Sequence, residues 1–146
     1  MRDALGGTVN IVIIVMFIVI ALGYITFNIN YTKAFRVNDK IVSLYQQNKG
    51  NCGSASTCAS QIKEYADYLG YQTDLDFTCP SGFSKQDNIY CVKSVPVSNN
   101  GGIKETPEAE YYIIVTKTKF SIPIISNIMD LEVFSVRGST KTIYKE

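Results

Sequence analysis

The stretch Val9-Asn-Ile-Val-Ile-Ile-Val-Met-Phe-Ile-Val-Ile-Ala-Leu-Gly-Tyr-Ile-Thr-Phe27 decides how the rest of the chain is read. It carries no charge and only soft polar interruptions. A helix of about 20 residues, rising 1.5 Å per residue, matches the ~30 Å hydrocarbon layer of a bilayer. The many β-branched residues are no obstacle there, because a backbone in lipid must satisfy its own hydrogen bonds and a helix does so. A soluble core helix this apolar would need a much larger protein around it than 146 residues provide. The segment 9–29 is therefore predicted to span a membrane, behind a short leader, 1–8. A cleaved secretory signal is the rival reading. Its apolar run is shorter and follows several positive charges, whereas this leader holds only Arg2, offset by Asp3. Ala21-Leu22-Gly23 still offers the small residues that cleavage before Tyr24 would use.

Helical periodicity continues beyond the span. Ala34, Val37, Ile41, Leu44 and Tyr45 fall on one face, with Lys33, Arg36, Asp39, Lys40, Ser43, Gln46 and Gln47 around the remainder. Gly50, after Asn48, ends the pattern. The reading is one helix from about Thr8 to Gln47, lipid-facing at first and amphipathic over 30–48, whose apolar face needs a partner from the rest of the chain. Orientation is contested by two signals. Lys33, Arg36 and Lys40 follow the span and only Arg2 precedes it, so charge asymmetry alone places the large domain in the cytoplasm. The cysteines argue for the opposite side.

All four cysteines, Cys52, Cys58, Cys79 and Cys91, follow the span. An even number in a small, loop-rich domain reads as two disulfides and an oxidising compartment. Of the possible pairings, Cys52–Cys58 and Cys79–Cys91 are favoured because each brackets a turn-rich segment. A four-cysteine zinc site is the competitor, but the gaps of five and eleven intervening residues fit poorly with closely spaced ligand pairs. No cofactor or metal is expected.

Composition narrows function further. The chain has 14 basic and 13 acidic residues and no segment concentrating either sign, which argues against a nucleic-acid partner. Histidine is absent, so Ser-His-Asp and Cys-His catalysis are excluded. Asp74 and Asp76 would share one side of a strand, as an acid–base pair might, but they read more simply as a solvated face alternating with Leu75 and Phe77. No enzyme is expected.

The remainder, 49–146, is predicted to be a disulfide-stabilised α+β domain outside the cytoplasm. Cys58–Leu69 reads as a helix capped by Thr57 and Gly70. Tyr71–Phe77 alternates like a strand, and Asn88–Val97 reads as its returning partner, so that Cys79–Cys91 would staple a hairpin. Ser98–Pro107 has the composition of a surface loop. Glu110–Phe120 is the strongest strand, with Tyr112, Ile114, Thr116, Thr118 and Phe120 on one face and Tyr111, Ile113, Val115, Lys117 and Lys119 on the other. Being apolar on both faces over its first half, that half is expected to be the better covered. Ser121–Met129 is an apolar crossover in which Pro123 forbids a central strand. Leu131–Val136 and Ser139–Tyr144 read as a last strand with a bulge at Arg137-Gly138. The fold expected is a long N-terminal helix packed on a small antiparallel sheet.

Two stretches carry a family resemblance: Gly6-Gly7 ahead of the apolar helix, and Val115-Thr-Lys-Thr-Lys-Phe-Ser-Ile-Pro-Ile-Ile followed by Leu131-Glu-Val-Phe-Ser-Val-Arg-Gly. Together with the helix-on-sheet pattern, the chain resembles pilins, and among them the TadE-like minor pilins (pseudopilins) of tight-adherence pili. That resemblance implies a non-catalytic bacterial envelope protein with pilin-like subunits or envelope assembly proteins as partners. It also implies possible cutting between Gly6 and Gly7. Such a cut would put Ile11 at the fifth mature position, where pilins carry glutamate, so a permanently anchored, uncut form fits as well. The alternative function is an anchored or secreted binding module that uses the polar loops Asn48–Ser56 and Ser98–Pro107. Tyr111-Tyr112 beside Glu108 and Glu110 could form a carbohydrate platform, although a core pair explains them better.

Overall fold

The computed structural model describes residues 2–53, 56–71, 73, 76–97, 109–118 and 134–144, with side chains from residue 7 onward. Its dominant element is α1, Arg2–Gln47, a single uninterrupted helix. It starts earlier than the apolar pattern indicated, so the leader is helical from Arg2. Gly6-Gly7 lowers helix propensity by about 1 kcal/mol per residue but neither removes a donor nor clashes, so the helix runs through it. At the other end the chain stops by a hydrogen-bonding device: the Gly50 N–H reaches the Tyr45 carbonyl at 2.8 Å and the Lys49 N–H the Gln46 carbonyl at 3.4 Å. Lys49 and Gly50 both take positive φ there, and the Tyr112 ring occupies the place a Gly50 side chain would need.

Helix α2 (Thr57–Tyr68) is capped by Ser56, not by Thr57, which is already helical. The Ser56 Oγ accepts the Ala59 N–H at 3.2 Å. Gly70, at φ +60°, closes it as expected. Cys52 pairs with Cys58 across a Cα–Cα distance of 5.1 Å and ties the end of α1 to the start of α2.

The sheet is antiparallel, in the order β1 (Ser84–Gln86), β2 (Tyr90–Val97), β3 (Ala109–Thr118), β4 (Phe134–Ser139), with β5 (Ile143–Tyr144) beside the start of β3. The strand that precedes β2 and pairs with it is β1, not the stretch from Tyr71 to Phe77, whose described residues form no strand. Asp87 and Asn88 both adopt the positive φ that a tight reverse turn between strands requires. The alternation in 71–77 has another cause. Tyr71 packs with the core under α1, whereas Phe77 packs on the opposite side of the sheet with Cys91 and Val115. The two ends of the segment therefore lie on opposite faces, and Cys79–Cys91 (Cα–Cα 5.8 Å) ties the chain just beyond Phe77 to the start of β2.

On the helix face, Ala34, Val37, Ile41, Leu44 and Tyr45 are all buried, against Tyr90, Ile114 and Val136 of the sheet and Ile62 and Ala66 of α2. This gives the α+β class expected, with α1 as the spine. The faces of β3 alternate as read, but its coverage runs the other way. Tyr111–Ile113 are half-buried while Ile114, Val115, Thr116 and Thr118 are buried, because α1 crosses one face of the strand at its second half and Phe77 and Cys91 cover Val115 on the other. Asn38 marks the crossing. Its side-chain amide donates to the Ile114 carbonyl (3.3 Å), Thr116 Oγ1 (3.3 Å) and the Val136 carbonyl (3.2 Å).

Arg137-Gly138 is not a bulge, since β4 runs straight through it. The irregularity sits three residues on: 140–142 lie opposite only 111 and 112, between the pairs Ser139↔Ile113 and Ile143↔Glu110. Thr140 fastens it, donating its N–H to the Tyr112 carbonyl and accepting the Tyr112 N–H on Oγ1, both at 2.9 Å. Gly138 is required for a different reason. A Cβ there would run into Asn38 Oδ1 and come within 3.0 Å of Val42 Cγ2. The missing side chain is what lets α1 approach β4. The expected crossover Ser121–Met129, the loop Ser98–Pro107, and Leu131, Asp74 and Leu75 lie outside the described residues.

Candidate assembly and anchoring surface

Among the described residues, the longest continuous run of exposed apolar side chains lies in the first half of α1. Val9, Ile11 to Ile18, Ile20, Leu22, Tyr24, Ile25 and Ile29 are exposed, with Phe17 as high as 72 %. Mean hydropathy over the best 18-residue window is 2.7, and none of that window is buried. A continuous apolar surface of this length is unstable in water. It is long and apolar enough to cross a membrane. The polar side chains at its lower edge suit that setting. Thr26 donates to the Leu22 carbonyl (2.9 Å), Asn28 to Tyr24 (2.9 Å) and Thr32 to Asn28 (2.7 Å), each folding a donor back onto its own helix. Gly7 meets nothing within 4 Å of an added Cβ, whereas Gly23 is buried. The peptide bond between Gly6 and Gly7 lies inside α1, one to two turns from its start.

The other candidates do not assemble into a chemical site. Asp76 is fully exposed and pairs with Lys85 at 3.4 Å, while Asp74 lies outside the described residues. Tyr111 and Tyr112 point to opposite faces. The Tyr112 hydroxyl donates to Glu110 Oε2 at 3.1 Å, and its ring lies 5.3 Å from that of Tyr45, so the pair forms no common platform. Among the described residues no group of three or more metal-ligating side chains converges. All four cysteines are in disulfides. Loop Ser98–Pro107 is outside the described residues, and Cys52–Cys58 restrains the Asn48–Ser56 loop.

Sequence reading missed one surface feature altogether. Strand register places Lys85, Cys91, Val115 and Arg137 in one row, with Lys93 and Lys117 two residues along on the same face. Cations dispersed in sequence thus gather on the side of the sheet turned from α1. Three of them lie over aromatic rings: Lys85 4.9 Å and Lys117 5.4 Å from the Phe77 centroid, and Lys93 5.9 Å from that of Phe83. They roof the small outer core.

Beneath α1 the core holds buried tyrosines instead of a titratable site. Tyr45 and Tyr90 share a hydroxyl–hydroxyl hydrogen bond of 3.1 Å, and burial raises the pKa of both. Burial also raises Tyr71 to about 12, opposed by the hydrogen bond it donates to the Lys117 carbonyl. A phenol whose folded pKa is raised stabilises fully below its unfolded value of 10.0, and that contribution is lost as pH climbs toward the folded value. The domain is therefore expected to keep its stability to about pH 10 and to lose it between there and pH 12, Tyr71 alone accounting for about 2–3 kcal/mol. Alkaline titration followed by tyrosinate absorbance and circular dichroism checks this. A late-ionising class of tyrosines should appear together with unfolding, and ionisation of all tyrosines in a still-native protein would refute it. Comparison with protein-family models, with curated proteins and with solved structures finds no match to this chain.

Proposed function

We propose that this chain is a pilin-like structural subunit of a bacterial cell envelope, of the TadE-like pseudopilin kind, and that it performs no catalysis. One observation carries the reading: a single unbroken helix is spine of the folded domain in its second half, while its first half is apolar and its most apolar 18-residue window has nothing buried. A rigid handle of that kind transmits the position of neighbouring helices to the domain it carries. The two disulfides favour an oxidising location for the domain, so the helix would hold it on the extracytoplasmic side. The partners would be other pilin-like subunits, met through apolar contact along residues 9–22 in the membrane or in a filament.

Single cysteines placed along 9–22 test this, because every native cysteine is already paired and a new thiol is unique. Oxidation in membranes is expected to give crosslinks to copies of this chain or to envelope proteins that recur with the helical period. Val15→Arg should abolish them, since a charge at mid-span costs about 2.5–3.5 kcal/mol. N-terminal sequencing of the same material separates a Met1 start (anchored), a Gly7 start (pilin-like) and a Tyr24 start (secreted). A uniformly uncrosslinked helix, with tight binding of a glycan or protein by the domain, would instead favour an anchored binding module.

A further inference from the structure

At the foot of the domain, where the apolar half of α1 gives way to the amphipathic half, α1 and the end of α2 enclose an open groove of about 450 Å³. Its lower wall is Tyr24, Ile25 and Ile29, its far wall is Leu69 of the α2 cap, and its mouth carries Lys33 and Arg36. The lining residues of α1 recur every three to four positions and so form one stripe of the helix. From Ile29, the end of the apolar run, Lys33 is about 6 Å and Arg36 about 10 Å further along the axis. The headgroup layer occupies roughly 5–8 Å beyond the hydrocarbon on each side, and long basic side chains bend to reach it.

Charge at the mouth is one-sided. No ion pair to Lys33 or Arg36 exists among the described residues, and Asp39, the nearest acid along α1, does not line the groove. The Lys33 ammonium lies 3.6 Å from where a Gly70 Cβ would be, beside the carbonyl end of α2, whose dipole favours a cation there. Thr32 and Asn28, also in the lining, each turn a donor onto the helix backbone, and the two cations are the charged groups of the lining. An apolar floor at hydrocarbon depth beneath two cations at phosphate depth complements one ligand class in both parts. We propose that this groove binds one anionic phospholipid, its phosphate held by Lys33 and Arg36 and its acyl chains lying along Ile25 and Ile29. The inference rests on the anchored reading but not on assembly.

The test uses the full chain purified in detergent, with retained lipid measured by native mass spectrometry after exposure to mixed phosphatidylglycerol and phosphatidylcholine vesicles at physiological salt. Phosphatidylglycerol should be retained at about tenfold or more over phosphatidylcholine, given two cations at the surface. Lys33→Gln with Arg36→Gln should remove the preference, and Ile29→Trp, which fills the groove and keeps the charge, should remove the lipid. Lys40→Gln, a cation outside the groove, should change neither. Equal retention of the two lipids, or an equal loss with Lys40→Gln, overturns the proposal. Displacement by soluble glycerol phosphate would mean the groove takes a free phosphate, and an Ile29→Cys homodimer would mean that a second copy occupies it; either result overturns it too. Crosslinks along residues 9–22 report assembly separately, so failure of one reading is distinguishable from failure of the other.

Discussion

Asn38→Ala is expected to lower the unfolding free energy by about 2–4 kcal/mol, among the largest single losses available in this chain. Asn38 is 2 % exposed at the crossing of α1 over β3 and β4, where its amide serves three acceptors on two strands. Thr116 Oγ1 completes the group by reaching the Ala34 carbonyl at 3.4 Å. Removing the amide takes a donor from three buried acceptors and opens a void, and both costs fall at one point. Asn38→Asp should be worse than Ala, because it replaces a donor with a buried negative charge facing carbonyl oxygens. Gly138 faces the same side chain, and Gly138→Ala is expected to cost about 1–3 kcal/mol by overpacking. The two changes should not add. Shortening Asn38 removes the atom that an added methyl would strike, so the double variant should be more stable than the summed single losses imply. Denaturant unfolding of the full chain in detergent measures all four. Simple additivity would show that the close approach at Gly138 is not what limits that position.

Asn38 also shows where sequence reading stops. The apolar stripe Ala34, Val37, Ile41, Leu44 and Tyr45 was legible because 3.6-residue periodicity depends on neighbours in the chain. Asn38 stands four residues after Ala34 and three before Ile41, on the same stripe, and its position was a usable signal. Its chemistry pointed the other way, since its partners Thr116 and Val136 lie far along the chain and only the folded sheet brings them together. Gly138 failed similarly: a glycine between strand-like segments suggests a bulge, while its real cause is a helix from the other end of the sequence. Period-2 alternation in 71–77 suggested a strand, whereas Tyr71 and Phe77 at its ends pack on opposite faces of the sheet. The positive-φ turn at Asp87-Asn88 was the local feature that could have separated β1 from β2. Tyr111-Tyr112 suggested heavy cover at the start of β3, but cover is set by where α1 crosses. Among the candidate surface residues, hydropathy alone identified the apolar half of α1. The groove below α2 needed the fold, because Leu69 and Arg36 are brought together by it.

Loss of the second disulfide, by Cys79→Ala together with Cys91→Ala, is expected to cost about 3–5 kcal/mol. The crosslink restrains the unfolded chain over a separation of 12 residues, which contributes about 3 kcal/mol in the loop-closure picture. The rest comes from packing. Cys91 is fully buried, and with Val115 and Phe77 it makes up the small core on the sheet face away from α1. Unpinned, the segment carrying Phe77 is held there by Lys117, which donates to the Thr78 carbonyl at 2.6 Å, and by cations over its ring. Losing Cys52–Cys58, with a separation of only 6, should cost less through the unfolded state and act chiefly on the junction between α1 and α2. Limited proteolysis should accordingly cut the Cys79/Cys91 variant between Tyr71 and Phe83 before it cuts α1 or α2. The same experiment bears on compartment. A domain that depends on this bond folds poorly in a reducing cytoplasm, and charge asymmetry around the span (Lys33, Arg36 and Lys40 against Arg2) argues for that side. If reduction left stability and cleavage unchanged, the disulfides would no longer outweigh those charges, and the domain's side of the membrane would have to be argued from the charges alone.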